Sequence, residues 1–162
     1  MTSQPVIVQP TGQGEFQVRV SAQGPSFFVD EPLAMGGLAS GPTPYDLLSA
    51  ALGACTAMTL SLYARRKGIP LTDVQVSVTH RRDAVTGRDA FERALYIEGT
   101  FDDAQKARLL VMADKCPVGK TLAAGADIQT HLASKTEPVI PNRPCDQTHP
   151  GAMVQACEEM DA

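Results

Sequence analysis

No block of basic residues occurs anywhere in the 162-residue chain, whose 14 Lys and Arg face 18 Asp and Glu for a formal net charge of −4. Nucleic acid and anionic membrane surfaces are therefore not expected as partners. The opening stretch MTSQPVIVQPTGQGEF has neither the basic n-region nor the long apolar core of an export signal, so a cytoplasmic location is expected. Cysteine occurs at 55, 116, 145 and 157, but no Cys-x-x-Cys is present. Cys145-x3-His149 with a distant Cys157 fits no common zinc spacing, so no metal and no bound cofactor are expected. Neither repeat nor linker splits the sequence, which suits one α+β domain over residues 1–135 followed by a proline-rich arm over 136–162.

Charge is missing altogether between Leu47 and Ala64, and what fills that gap directs the rest of the reading. Thr43, Pro44 and Asp46 form a helix start, while Arg65, Arg66 and Lys67 followed by Gly68 and Pro70 form a helix end. The helix so bounded is about 24 residues, roughly 36 Å, long. Ser49, Gly53, Thr56, Thr59 and Ser61 make its uncharged part too polar for a membrane span. A helix this small and apolar on every side is expected to be the central, largely buried helix of the fold. The 162 residues supply few strands to cover it, so a partner copy is the expected cover.

Alternation about a Gly-Pro turn predicts a hairpin over 15–22 and 26–31, followed by the glycine-rich loop MGGLASGPTP. TDVQVSVTHRR and FERALYIEGTF read as paired antiparallel strands. Asp102 or Asp103 then caps a helix that Pro117 ends, and Pro117 can open a short second one. ADIQTHLAS alternates as a last strand. Pro138, Pro141, Pro144 and Pro150 predict an extended surface arm before a weakly helical end, and removal of 138–162 is expected to leave the fold intact.

Cys55 sits at mid-helix among small residues, where a cysteine is commonly no more than a small hydrophobe. Cys116 carries more information. It stands at the N-cap position of the helix that Pro117 opens, where unpaired N–H groups, Lys115 and Lys120 favour a thiolate.

GPTPYDLLSAALGACTAMTL together with ADKCPVGKTL resembles the two signatures of the OsmC/Ohr family, the osmotically inducible and organic hydroperoxide resistance proteins. The likeness runs from about Phe16 to Leu132, and is nearer to a less characterised OsmC-like branch than to the well-studied peroxidases. It implies an OsmC-like α+β fold with antiparallel sheets around the central helix in an intertwined homodimer. It further implies that Cys55 is peroxidatic, that Cys116 is resolving, and that an external lipoyl-type dithiol reduces the disulfide formed on organic hydroperoxides. Tyr45 stands where the family's peroxidases place a Glu that holds an Arg over the thiolate, with Asp46 one place on, and Gly119 stands where Ser or His is frequent.

Two arginines are candidates to activate Cys55. Arg19 lies in the N-terminal region from which the family's arginine comes. Arg93 shares a strand phase with Phe91, Leu95 and Ile97, which turns it toward the core, as His80 is turned by Val74, Val76 and Val78. The alternative to an enzyme is a dimeric domain that binds an apolar ligand or senses oxidants through Cys55.

Overall fold

The computed structural model of the protein describes residues 5–22, 24–139 and 148–160. Contacts gather the chain into two units, Met1–Leu47 with Asp127–Thr148 and Leu48–Ala126 with His149–Ala162. The architecture mixes helices with antiparallel sheet.

In the first unit β1 (Ile7–Pro10), β2 (Val18–Ser21) and β3 (Phe27–Val29) form an antiparallel sheet with β2 in the middle. The predicted hairpin is β2 and β3, in a register that pairs Val18 with Val29 and Val20 with Phe27. β1 is not legible in the sequence, because four residues between Pro5 and the strand's own Pro10 give too short an alternation. Val20 and Val29 are buried, and so is the neighbouring Asp30. Its carboxylate accepts hydrogen bonds of 2.7–3.2 Å from the N–H groups of Glu31, Leu38 and Ser40 and from the Ser40 hydroxyl. Burial works against the charge, but these bonds outweigh it and hold the pKa below the usual carboxylate range. The glycine-rich loop is thereby tied back to β3. Gly37 and Gly41 pass too close to the Glu31 and Phe28 carbonyls for any side chain to fit.

Helix α1 (Pro44–Lys67) has the ends that its sequence predicts. The Thr43 hydroxyl and Asp46 carboxylate bond reciprocally at 2.8–3.2 Å, and Gly68 turns left-handed at φ 63° while the Ile69 N–H returns to Ala64 at 2.9 Å. Strands β4 (Leu71–Arg82) and β5 (Asp89–Gly99) pair antiparallel, with Val78 opposite Arg93 and His80 opposite Phe91. One face of this hairpin covers α1. Val74, Leu95 and Ile97 pack against Leu60 and Tyr63, and Val78 and Phe91 pack against Leu52 and Cys55.

Helix α2 (Asp103–Asp114) starts at a capping box between Asp102 and Gln105 and buries Leu109, Met112 and Ala113. Helix α3 (Pro117–Ala124) begins immediately after Cys116. Helix α4 (Thr148–Glu158) accommodates Pro150 in its first turn, where no N–H is needed.

Two expectations change. Residues 126–134 form no strand, and Ile128 and Leu132 are 90% and 99% exposed. An alternating segment becomes a strand only beside another strand, and among the described residues none pairs with it. On α1, for which a partner copy was the expected cover, Leu48, Ala51, Ala54, Met58 and Ser61 form an exposed stripe in the single chain. Second, the arm expected over 136–162 does not stay at the surface. Residues 136–139 are exposed coil, and Pro141, Pro144 and Cys145 lie outside the described residues. Beyond them Met153, Ala156, Cys157 and Met160 recur at helical spacing, and Ala156 and Cys157 enter the cluster of Leu60, Tyr63, Leu109 and Met112. Removing 138–162 would strip this core.

Candidate active site

Cys116 is set by two local signals. Asp114 and Lys115 end α2, and Pro117, with φ fixed by its ring, opens α3, which leaves Cys116 as the N-cap with its sulfur accepting the Gly119 N–H at 3.2 Å. Two further donors converge on the same sulfur. Arg93 Nη1 of β5 lies at 3.6 Å, and the Thr56 hydroxyl of α1 at 3.5 Å, sharing its one proton between this sulfur and the nearer Leu52 carbonyl. Thr56 is held in turn by its own bond to the Leu52 carbonyl at 2.8 Å and by Arg93 Nη1 at 2.8 Å. The other guanidinium nitrogen is anchored to Asp114 Oδ1 at 2.6 Å.

Cys55 lies one residue before Thr56 and is turned onto the same spot. Its sulfur accepts the Val118 N–H at 3.4 Å and stands 3.2 Å from His149 Nε2 of α4. Both thiols are buried in a cluster with Leu52, walled by Val78, Phe91, Val118 and Leu122. They do not ionise alike. The Cys55 thiol donating to it, joined by Thr56, Gly119 and Arg93, lowers Cys116 to about 5 against the cost of burial. Cys55 is pushed up because it is the donor of that bond and is itself desolvated. The donors gathered around Cys116 thus favour placing the negative charge of the pair on that sulfur.

Arg93 faces the core as its strand phase requires, but its contacts are with Cys116, Thr56 and Asp114, so the charge that the sequence suggested for Cys55 falls on the other sulfur. His80, on the same face of the hairpin, is taken by Asp89 at 3.0 Å and by the Phe91 ring. Arg19 belongs to the first unit, where its guanidinium lies 5.7 Å from the Phe28 ring centroid. Asp46 is committed to the cap of α1, and its bonds from Thr43 hold its pKa low. Tyr45 is 40% exposed at the start of the same helix. Among the described residues no three His, Cys, Asp or Glu side chains gather as a metal would require.

A cavity of about 790 Å³ is lined by Leu52, Phe91, Leu122, Gly119 and Arg93 together with the charged Arg81, Asp89, Glu92 and Asp114. It shares Leu52, Phe91 and Leu122 with the thiol cluster. A Cβ at Gly119 would sit 2.9 Å from the Cys116 sulfur, so the absence of a side chain there keeps that sulfur in place.

Sequence reasoning did not find His149 or Thr56 as thiol partners. Thr56 had a signal, since a hydroxyl beside a candidate cysteine on a buried helix must find a bond. His149 had none, because nothing local ties it to a residue 94 positions away.

Residues 37–131 match the family model of the OsmC-like protein. Among solved structures, an OsmC-like protein from Mycoplasma pneumoniae superposes with a TM-score of 0.64 at 19% identity, over 75% of this chain and 88% of that one. An organic hydroperoxide resistance protein OsmC from Legionella pneumophila gives 0.56 at 19% identity, over 75% and 91%. An organic hydroperoxide resistance protein from Elizabethkingia anophelis gives 0.55 at 21% identity, over 74% and 89%. At these identities the likeness establishes the fold. No curated protein matches the sequence. The match ends before α4, so His149 lies beyond it.

Proposed function

The chain belongs to the OsmC-like protein family, and on that premise we propose that it reduces organic hydroperoxides through Cys55 and Cys116, at the expense of an external dithiol of the lipoyl type. The observation that carries this reading is the thiol pair itself: two cysteines from distant parts of the chain, buried together in one apolar cluster. Cys55 attacks the peroxide, the O–O bond breaks, the alcohol leaves, and sulfur becomes a sulfenic acid. Cys116, held as a thiolate, attacks that sulfur and expels water, leaving a Cys55–Cys116 disulfide that the dithiol reopens. The apolar lining residues Leu52, Phe91 and Leu122 favour an organic peroxide over hydrogen peroxide. The reading includes a cytoplasmic homodimer acting in oxidative stress defence.

A consumption assay with cumene hydroperoxide and excess dihydrolipoamide tests it, with monothiols as comparison. Repeated turnover with the dithiol is expected, and stoichiometric oxidation by cumene hydroperoxide should yield a Cys55–Cys116 peptide pair on mapping. Oxidation that stops after one equivalent despite excess dithiol and monothiol would instead favour a sensor.

A further inference from the structure

We propose that His149, brought to the thiol pair by the C-terminal helix α4, is the base that takes the Cys55 proton. The proposal rests on the two-cysteine reading of the site for its chemistry, but it is observable without turnover.

The argument starts from where the Cys55 proton can go. Among the described residues two groups beside that sulfur can accept the proton: Cys116 Sγ, in the same cluster, and, in the tautomer that carries its hydrogen on Nδ1, His149 Nε2 at 3.2 Å. Transfer to Cys116 would neutralise the one sulfur that Arg93, Thr56 and the Gly119 N–H are arranged to keep charged. It would also convert the resolving group into a thiol, a poorer nucleophile for closing the disulfide. Transfer to His149 avoids both costs. With its own proton on Nδ1, the imidazole accepts at Nε2 and becomes an imidazolium beside the new thiolate, an opposite charge within hydrogen-bond distance. The Val118 N–H at 3.4 Å supplies the remaining donor to Cys55.

Nothing else on α1 can serve as the base, because Leu47–Ala64 contains no ionisable group beyond Cys55 and Tyr63, which is itself buried beside Leu60. The other ionisable groups of the neighbourhood are already engaged. Cys116 comes from the α2–α3 junction, Arg93 of β5 is bound to Asp114 of α2, and Lys120 of α3 is paired with Glu159 after α4 at 3.2 Å. α4 is placed by its own apolar side, since Met153, Ala156 and Cys157 are buried. The packing that makes the helix part of the core thus also delivers the imidazole.

The step balances. The S–H bond of Cys55 breaks and its proton goes to Nε2. The thiolate attacks the distal oxygen of the organic hydroperoxide, the O–O bond takes two electrons from sulfur, and the departing alkoxide recovers the proton from the imidazolium. His149 is neutral again when Cys116 closes on the sulfenic acid.

Site-resolved labelling with iodoacetamide from pH 5 to 9, read by mass spectrometry on the full chain, tests this. His149→Gln is expected to slow Cys55 labelling at pH 7 by tenfold or more and to remove an inflection from its pH profile, while Cys116 labelling keeps its profile. In His149→Ala, added imidazole is expected to restore much of the Cys55 rate, which a purely structural loss would not permit. Urea midpoints of both variants establish that they fold. Equal Cys55 profiles in wild type and His149→Gln, or a folded His149→Ala that imidazole does not rescue, would overturn the proposal. Hydroperoxide turnover in the wild type is measured alongside: its absence, with Cys55 labelling still dependent on His149, would remove the peroxidase reading and leave the base assignment standing.

Discussion

Arg93 and Cys116 meet at 3.6 Å, where β5 passes the junction of α2 and α3. The guanidinium is bonded on its other side to Asp114, two residues before that cysteine in the chain. The cation is therefore fixed by a carboxylate from the helix that ends at the thiol, and its position relative to the sulfur does not depend on a flexible side chain alone. With only 16% of the Arg93 side chain exposed, its field at the sulfur is weakly screened.

Arg93→Met should raise the pKa of Cys116, read from the thiolate absorbance or from its labelling profile, by about one unit or more, which is about 1.4 kcal/mol. Arg93→Lys should restore part of the shift, because a point charge cannot serve Thr56, Cys116 and Asp114 together. Arg19→Met is expected to move the profile less. A Cys116 profile unchanged in Arg93→Met would assign the ionisation to the Cys55 thiol, Thr56 and the helix cap without the guanidinium.

The low pKa of Cys116 carries a stability signature. An unfolded cysteine keeps its proton to about pH 8.5, whereas folded Cys116 releases it near 5. The unfolded chain thus binds more protons between these values, and the contribution of Cys116 to stability grows as pH rises from about 5, is complete above the unfolded value, and is lost as pH falls through about 5. Cys55, whose pKa is raised, acts with the opposite sign only above the unfolded thiol range. The difference in urea midpoint between reduced wild type and Cys116→Ser should widen from pH 4 to pH 8. A difference that is flat over this interval would contradict the assignment of the charge to Cys116.

Met153→Ala should destabilise the protein by about 2–4 kcal/mol, since Met153 is 8% exposed on the buried side of α4. Glu158→Ala, on its exposed side, should stay within about 0.5 kcal/mol. Urea unfolding of the two variants checks this, and a negligible cost at Met153 would mean that α4 is not part of the core.

The stripe of Leu48, Ala51, Ala54, Met58 and Ser61 on α1, and the exposed Ile128 and Leu132, are surfaces that a second copy would cover. Light scattering at micromolar concentration should give the mass of a homodimer, and Met58→Asp should shift it toward the monomer. A monomeric wild type would leave those surfaces to another partner.

The sequence was most legible where structure is decided locally. Thr43 with Asp46, Gly68, Asp102 with Gln105, and Cys116 before Pro117 each mark a helix end through bonds within a few residues, and each end is found there. Strand phase correctly turned Arg93 inward, but phase gives a face and not a partner. Which sulfur receives the guanidinium depends on how far along α1 the strand crosses, and this is set by packing around Gly53 and Val78. Ile128 and Leu132 show the reverse failure, where a two-residue period is present and no ladder follows among the described residues. The weakly helical C-terminal end was legible and is found as α4, but its docking into the core was not, because the prolines before it are stronger local signals than the spaced apolar residues that bury it.

In the chemistry proposed above, Cys116 would be at once a reagent and a structural cap, and the two roles would draw on the same lone pairs. The first turn of α3 is closed by the Gly119 N–H bonding to the Cys116 sulfur at 3.2 Å. In a disulfide that sulfur would have no charge to offer, so oxidation would weaken the bond that closes the turn. One residue further on, Lys120 pairs with Glu159 at 3.2 Å, just past the helix that carries His149. The redox state of the proposed sulfur pair would thus bear on the start of the same short helix that meets the last described turn of the chain.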